Sequence, residues 1–401
     1  MPLPRSDADA RLVAVQPPDV PELLSNDPNA YAWGVLRDRT PKLIAQTRDA
    51  HPYGPPQRRA LDRLLEEIST GTVQPLDSGA HDQAAWEKWG RDYFGRPWAD
   101  VPFLWWESYF YRRLLGAVGF FDPGPWFWVD PFDSLKSAEL RDPTLEADLA
   151  ALDQVFELPI EEQAQAKLLA SLWGNRADLG FRVGVTTEHP EQAGLVADDS
   201  ERLWSSLRTG AANRVCVVAD NAGRELLADL VLIDHFLENA LAAEVMLHVK
   251  PHPYYVSDAV TADVVACLRR LSATPGTATK ISRRLWEAMG DGRLTLHTHE
   301  FYCAPWSFHH LPADLAHEFV PASLTLVKGD LNYRRLVGDR DWPPTTPFAD
   351  ATAYFPSPVA ALRTLKSDVV TGIDPSTLAE LDASGQAWRT SGTHGSIQTR
   401  W

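Results

Sequence analysis

The sequence predicts an α/β fold: a doubly wound three-layer α/β/α sandwich that follows an N-terminal helical domain. Two observations predict it. Up to about residue 205, apolar residues recur at helical spacing, and from about residue 213, short runs rich in β-branched residues alternate with helical segments. Strands that alternate with helices form parallel βαβ units, so the second half should be a sheet covered on both faces. The 401 residues suffice for two domains, which we assign to 1–205 and 206–401.

The helical domain is predicted from apolar spacing. In RRALDRLLEEIST, at 58–70, four apolar residues recur at the spacing of one helix face. Further helices are predicted at 103–117, 144–156 and 161–174. The chain has 15 Trp, many of them in this half, and aromatic packing between helices explains them most simply.

The sheet is predicted from buried, β-branched runs. These runs lie at 215–218, 243–249, 293–297, 323–327 and 360–364, with helices predicted at 224–241 and 260–272. In sheets of this kind, ligands bind beyond the carboxyl ends of the strands, near a switch in strand order. Polar side chains follow four of the predicted strands, so we expect a site at this edge.

Three oxygen-bearing side chains form a candidate metal site. Asp220 and Asn221 follow the first strand, and Asp258 lies in the loop after the second. Hard oxygen ligands of this kind suit Mg²⁺ or Mn²⁺ and leave positions for water and a phosphoryl oxygen. Glu225 lies one turn into the next helix, within reach of a metal-bound water. Taken alone, Asp220 and Asn221 could form a turn and a helix N-cap, Asp258 could cap the helix that follows it, and Glu225 could be a surface carboxylate; the joint placement favours the metal.

The fourth strand leads into KGDLNYR at 328–334, which resembles a phosphate-binding loop. Gly329 allows close backbone approach, and the amides that open the next helix would point at an anion. Lys366 could neutralise phosphate as a point charge, and Arg363 could bind it with two hydrogen bonds. An ordinary strand-to-helix loop and a solvated basic pair are the alternatives. The predicted phosphate-binding residues are Asp330, Leu331, Asn332, Tyr333, Arg334, Arg363 and Lys366.

Bulk properties exclude several partners. With 38 basic and 54 acidic residues, the net charge of −16 argues against nucleic acid and against an anionic membrane surface. A small phosphorylated metabolite would need a locally cationic pocket. Three widely spaced cysteines support neither a disulfide framework nor a zinc ribbon. The N-terminus has no apolar signal-peptide core, and no apolar run reaches membrane-spanning length, so we expect a cytoplasmic protein.

Two competing sites are weaker. His297 and His299 form an HxH pair of the kind that zinc hydrolases use, yet no HExxH or Cys ligand accompanies it. The segment DNAGRE, at 220–225, lacks the GxGxxG spacing that binds dinucleotides, which also argues against S-adenosylmethionine.

Several longer motifs resemble one family. In the second half they are DNAGREL at 220–226, VSD at 256–258, LTLV followed by KGDLNYR at 324–334, GDR at 338–340 and RTLK at 363–366; in the first half they are WESY at 106–109, YRR at 111–113 and SLWGN at 171–175. By these motifs the chain resembles the damage-control phosphatase family, formerly domain of unknown function 89, in its acidic-residue methyltransferase-like branch.

The resemblance implies a helical domain packed on an α/β/α sandwich, and a divalent metal, often manganese, cobalt or nickel, at Asp220, Asn221 and Asp258. Phosphate would contact the segment 330–334 and Lys366. Glu107 and Asn175 lie in matched segments, and we expect them to face the pocket.

The family hydrolyses sugar phosphates such as fructose 1-phosphate and fructose 6-phosphate. A carboxyl methyltransferase activity with S-adenosylmethionine has been attributed to this branch and is the first alternative. A non-catalytic phosphometabolite-binding protein is the second. Whether water or Asp220 is the nucleophile stays open at this point.

Overall fold

The computed structural model of the chain describes residues 18–174, 194–209 and 214–401. Its centre is a seven-stranded sheet with the strand order β1-β7-β6-β5-β2-β3-β4 over these residues. The strands are β1 (Leu195–Asp198), β2 (Arg214–Val218), β3 (Glu244–Val249), β4 (Leu294–Thr298), β5 (Leu324–Lys328), β6 (Val359–Thr364) and β7 (Gly395–Arg400).

The strand order places the switch point beside β2. Neighbouring strands are parallel, except that β6 and β7 are antiparallel. From β2 the chain continues through β3 to β4 on one side, then returns to β5 on the other side of β2. The loops after β2 and β5 therefore diverge to opposite faces, which opens a crevice at their carboxyl ends.

Sixteen α-helices surround this sheet in the described residues. They are α1 (Tyr31–Gly34), α2 (Thr40–Ala50), α3 (Pro55–Thr70), α4 (Gln83–Gly90), α5 (Phe103–Val118), α6 (Asp133–Arg141), α7 (Pro143–Val155), α8 (Ile160–Trp173), α9 (Ser200–Thr209), α10 (Arg224–Glu238), α11 (Thr261–Ser272), α12 (Thr277–Asp291), α13 (Ala313–Phe319), α14 (Gly329–Val337), α15 (Phe348–Ala351) and α16 (Pro375–Ala383). A π-helical stretch (Val35–Arg39) joins α1 to α2, and single 3-10 turns lie at Trp98–Asp100, Glu300–Cys303 and Phe308–His310.

Two apolar cores cover the two faces of the sheet. The alternate residues Val215 and Val217 of β2 pack with α7 to α12, whereas Cys216 and Val218 pack with α13 to α15. Successive residues of a strand point to opposite faces, so this division is the period-two pattern of a sheet buried on both sides. The predicted three-layer α/β/α fold is confirmed.

A third core joins α1 to α5 and is largely aromatic. Trp98, Trp105 and Trp106 are fully buried in it, and Trp98 stacks on Tyr109 with ring centroids 6.0 Å apart. The abundance of Trp in the first half thus reflects helix packing.

The predicted strands and helices all form, with ends that shift by a few residues. Strands β1 and β7 and ten of the helices, of which α12 is the longest, were not predicted. Helices α7 and α8 and strand β1 all precede residue 205, the predicted domain boundary. They nevertheless belong with the sheet, because α7 and α8 pack on it and β1 pairs with β7. The division into 1–205 and 206–401 stays a prediction. In the part of the chain that is described, none of the helices has the length and apolar character needed to cross a membrane.

Candidate active site

A cavity of about 160 Å³ lies at the carboxyl ends of β2, β3, β5 and β6. It is lined by Tyr31, Arg39, Glu107, Glu139, Asp220, Asn221, Tyr255, Ser257, Asp258, Asp330, Leu331, Arg334 and Lys366. The cavity therefore brings together most of the residues predicted from the sequence, and adds five others.

The loops after β2 and β3 pair with each other and so bring their side chains together. Ala259 N donates to Asp220 O at 2.8 Å, and Ala222 N donates to Ser257 O at 2.6 Å. Between these two bonds, Asn221 and Asp258 form an antiparallel bridge. Two residues separated by 37 positions are thereby held side by side at the cavity.

Hydrogen bonds fix the orientation of the Asn221 amide. Its Nδ2 donates to Asp220 Oδ2 and to Glu225 Oε2, both at 2.9 Å. Ser257 Oγ donates to its Oδ1 at 2.5 Å. Since carboxylate oxygens only accept, the amide nitrogen must face Asp220 and Glu225. The amide oxygen is then the Asn221 atom that can bind a cation.

Negative charge is concentrated and buried at this point. Asp220 is 6% exposed and Asp258 2%. Burial raises the pKa of Asp220 well above its usual value, and the Glu225 and Asp258 carboxylates raise it further. Burial likewise raises the pKa of Asp258 to about 6, although Lys250 Nζ lies 3.2 Å from its Oδ2. Such a group of carboxylates is stabilised by a cation.

Gly329, the first residue of α14, lies against the Asp220 carboxylate. Its φ is +81°, in the region that favours glycine, and a Cβ on it would collide with the Asp220 side chain. Glycine is therefore required here on two grounds. A recess of about 10 Å³ adjoins the cavity and is bordered by Asp220, Glu225, Gly329 and Lys366, among others.

Lys366 supplies an ammonium to both the cavity and the recess. The side chain is half-buried, and among the described residues its Nζ makes neither a hydrogen bond nor an ion pair. Burial raises the pKa of Asp220 and of Glu139, and the positive charge of Lys366 offsets part of that rise. Lys366 is a cation available for an anionic ligand.

Arg334 and Asp330 line the cavity but already have partners. Arg334 binds Glu107 at 2.8 Å and Asp339 at 2.7 Å. Asp330 accepts from Arg363 Nε at 2.8 Å. Burial would raise the pKa of Asp330, but the Arg363 and Arg334 guanidinium groups outweigh it and lower that pKa. These pairs join α5, α14 and the end of β6 around the cavity.

Three residues predicted to bind phosphate do not line the cavity. The Arg363 guanidinium is buried among Asp330, Val369 O and Ser367, and lies over the Tyr333 ring. Tyr333 itself shares a hydrogen bond of 2.8 Å with Thr371. A phosphate contact by either is not supported, because their polar groups are used within the fold.

Asn332 is the third of these residues. It is fully buried, and its Nδ2 donates to Ala219 O and Lys328 O at 2.9 Å. It ties the end of β2 to the start of α14 and so supports the site from behind. Asn175, expected to face the pocket, lies outside the described residues.

The sequence matches a family model described as damage-control phosphatase ARMT1-like domain over residues 35–381. The chain belongs to this family. Two proteins named damage-control phosphatase ARMT1 are among its relatives. The Danio rerio protein is 29% identical over 92% of this chain and 94% of its own length, and the Homo sapiens protein is 30% identical over 94% and 98%.

A solved structure of a DUF89 family protein from Pyrococcus horikoshii covers 88% of this chain and 93% of its own. The TM-score is 0.47 and the sequence identity 14%. At these values the likeness carries no further argument.

In this damage-control phosphatase family member, five cavity residues were not predicted from the sequence. They are Tyr31, Arg39, Glu139, Tyr255 and Ser257. Ser257 adjoins the predicted Asp258 and could have been inferred from that position. Arg39 ends the π-helical stretch, an irregularity common at functional sites but without a sequence signature of its own.

The HxH pair does not form a metal site with its neighbours. His297 Nδ1 lies 3.3 Å from Glu318, and His299 Nε2 lies 3.3 Å from Asp314. Over the described ranges, no group of three or more His, Cys, Asp or Glu side chains is arranged to hold a metal ion. The zinc hypothesis is therefore not supported. The metal site predicted at Asp220, Asn221 and Asp258 stays a prediction, and its third ligand would be an amide oxygen rather than a His, Cys, Asp or Glu side chain.

Proposed function

We propose that this chain is a divalent-metal-dependent phosphatase that hydrolyses small phosphorylated metabolites, with fructose 1-phosphate and fructose 6-phosphate as the first candidates. The observation that carries the proposal is the grouping of two buried carboxylates, Asp220 and Asp258, with the half-buried Asn221 amide in a cavity that Lys366 also lines. Membership of the damage-control phosphatase family supports it.

The residues present fit a divalent cation. Asp220 and Asp258 supply two carboxylates. The nitrogen of the Asn221 amide donates hydrogen bonds to Asp220 and Glu225, which leaves the amide oxygen as the atom that could coordinate a metal. An all-oxygen set suits Mn²⁺, Mg²⁺, Co²⁺ or Ni²⁺. Without a cation, burial and then the neighbouring Glu225 and Asp258 carboxylates raise the pKa of Asp220, and burial raises the pKa of Asp258, so a bound cation would stabilise both charged forms.

A metal ion held there would supply Lewis-acid polarisation of the phosphoryl group and a lowered pKa for an attacking water. The chain itself would contribute the remaining charge balance. Lys366 would bind the phosphate and stabilise the charge that develops on its oxygens in the transition state. Glu225, which borders the recess with Asp220 and Lys366, would accept the proton of the attacking water.

The lining also favours a small polyhydroxylated substrate. Glu107, Glu139, Asp330, Tyr31 and Tyr255 line the cavity, and the Glu107 and Asp330 carboxylates have acceptor capacity beyond their bonds to Arg334 and Arg363. Carboxylates accept hydrogen bonds from sugar hydroxyls. A volume of about 160 Å³ suits a sugar monophosphate better than a nucleotide.

Asp220 is also a candidate nucleophile, since it borders both the cavity and the recess. A single turnover of a substrate that is chiral at phosphorus separates the two routes. Direct in-line attack by water inverts the configuration at phosphorus, whereas attack by Asp220 followed by hydrolysis of the aspartyl phosphate is two displacements and would retain it.

A screen of purified, chelator-treated protein against sugar phosphates, with Mn²⁺, Mg²⁺, Co²⁺ or Ni²⁺ added singly, tests the proposal. We expect phosphate release only when a divalent ion is present. Full activity in excess chelator would contradict metal dependence. Methyl transfer from S-adenosylmethionine to a protein carboxyl group, without phosphate release, would establish the methyltransferase alternative instead, and tight binding without turnover the non-catalytic one.

A further inference from the structure

A buried lysine, Lys328, lies next to residues of the site but outside the lining of the cavity and of the recess. Lys328 ends β5 and is 1% exposed. Its Nζ lies 3.1 Å from Asp229 Oδ1 and 3.6 Å from Glu225 Oε1. It also donates at 2.5 Å to Ser171 O, in the last turn of α8. Lys328 is therefore the start of the KGDLNYR segment but not part of the cavity lining.

The Glu225 carboxylate is held from both sides. Lys328 lies next to Oε1, and the Asn221 Nδ2 donates to Oε2 at 2.9 Å. Asp229 in turn accepts from Ser171 Oγ at 2.5 Å, so the lysine and its partners form one connected group. This group links α8, α10 and β5 to the amide that faces the cavity.

We propose that Lys328 is a positioning residue that acts through Glu225 to keep the Asn221 amide oxygen turned towards the metal position. The inference rests on the proposed function, because it takes Asn221 as a metal ligand. Lys328 does not touch the metal or the substrate.

The physical reason is the burial of three carboxylates behind the site. Asp220, Glu225 and Asp229 are each almost fully buried, and Lys328 supplies positive charge between the last two. If the ammonium is removed, the Glu225 carboxylate loses a buried partner and is expected to reorient. Asn221 Nδ2 then loses a fixed acceptor, and the amide can rotate so that its NH₂ group, rather than its oxygen, faces the cation.

Electrostatics alone predicts the opposite result, which makes the proposal testable. Loss of a positive charge beside the site should tighten cation binding if Lys328 acts only by its charge. Loss of an outer partner that orients a ligand typically weakens metal binding by about 10- to 100-fold. A merely structural lysine would lower the melting temperature without changing metal affinity.

The experiment measures the Kd for Mn²⁺ by electron paramagnetic resonance of the free ion, with no substrate present, in wild type, Lys328→Met and Lys328→Arg. Lys167→Met is the matched control. Lys167 is also buried, between α8 and α10, where it contacts His235 and Gln163 rather than the site. Lys328→Gln, which keeps a donor for Ser171 O, replaces Lys328→Met if the latter does not fold.

We expect Lys328→Met to weaken Mn²⁺ binding by about 10- to 100-fold, Lys328→Arg to retain most of the affinity, and Lys167→Met to leave it unchanged. At saturating Mn²⁺, KM for fructose 1-phosphate should stay within about twofold of wild type, because the substrate contacts are intact. Unchanged or tighter Mn²⁺ binding in folded Lys328→Met protein, with wild type binding normally, would overturn the inference alone. Wild-type protein that binds no Mn²⁺ would overturn the proposed function as well.

Discussion

The aromatic core of α1 to α5 and the buried charges at the cavity are stabilised in different ways. We call the second region, which includes Asp220, Asp229, Asp258 and Lys328, the polar floor. The aromatic core is built from rings in contact, such as Trp105 and Tyr109 with centroids 5.0 Å apart. The floor is built from buried charges, including Lys328, Asp229, Asp220 and Asp258. One region removes apolar surface from water, and the other removes charges from water.

The aromatic core is expected to contribute mainly to the stability of the fold, and the buried charges mainly to its chemistry. Burial of large rings is favourable for folding wherever the packing is complete. Burial of carboxylates is unfavourable unless cations compensate them, and the raised pKa of Asp220 records that cost. Substitutions in the first region should therefore change stability more than activity, and substitutions in the second should do the reverse.

The largest expected effect on stability comes from Trp106→Ala. Trp106 is fully buried, and its Nε1 donates to Ser25 Oγ at 2.9 Å. The cavity left behind should lower the free energy of unfolding by about 3–5 kcal/mol, measured by chemical denaturation. Trp128→Ala, at a side chain that is 55% exposed, is the control and should cost less than about 0.5 kcal/mol. Equal effects of the two substitutions would contradict the assignment of the aromatic core.

Asp220→Asn should have the reverse profile. Loss of a carboxylate that binds the metal directly should lower kcat/KM for fructose 1-phosphate by more than about 100-fold, since even outer partners cost 10- to 100-fold. The melting temperature of the metal-free protein should not fall, because a buried, mutually repelling carboxylate is replaced by a neutral amide. Retained activity would remove Asp220 from the site, and unfolding would show that the floor is needed for stability.

Lys366→Met should weaken phosphate recognition. With its ammonium gone, KM for fructose 1-phosphate should rise by roughly 10- to 100-fold, and kcat should fall less. The control is Lys280→Met, at an exposed position on α12, which should leave both constants unchanged. Steady-state kinetics at saturating Mn²⁺ give the answer, and identical constants for the two variants would exclude Lys366 from the site.

The smallest expected effect concerns Lys167, a buried charge outside both regions. Burial lowers the pKa of Lys167 to about 8, below the value of about 10.4 in the unfolded chain. Between these values the unfolded state binds more protons, so this lysine makes stability rise with pH, by roughly 1 kcal/mol between about pH 8 and 9. Above the pKa of the unfolded chain, Lys167 is neutral in both the folded and the unfolded state, so it no longer makes stability depend on pH.

Urea denaturation across this pH range, compared with Lys167→Met, isolates the contribution. The variant should lose that rise, and the same slope in both proteins would show that Lys167 is charged in the folded state.

Sequence patterns predicted the fold better than the site. The runs at β2, β3 and β5 are apolar on both faces. A strand that is covered on both faces requires such a run, so these strands can be predicted from the sequence. β7 was missed because its sequence, GSIQTR, has a single strongly apolar residue, and β1 was missed because it is a four-residue edge strand that pairs with β7, about 200 residues away in sequence. The packing of the Trp-rich helices was predicted correctly because large aromatic side chains bury much apolar surface, and the interfaces between helices provide the space for them.

The site was predicted in part. Asp220, Asn221 and Asp258 follow strand ends, and the topology alone brings such residues to one edge. Arg363 and Asn332 do not line the cavity, because their polar groups bond to neighbours within the fold, and a sequence does not show which polar side chains are used in this way. Arg39 and Glu139 were missed because they reach the cavity from α1–α2 and α6, whose packing on the sheet has no short-range signal.

Binding of Mn²⁺ to wild type and to Asp258→Asn, measured side by side on metal-free protein by electron paramagnetic resonance, tests the central claim most directly. If carboxylates from two neighbouring strand ends hold a catalytic cation, wild type should bind a single ion with high affinity, and the variant should bind none over the same concentrations. Equal binding by both proteins would contradict the account, because the ion would then lie elsewhere.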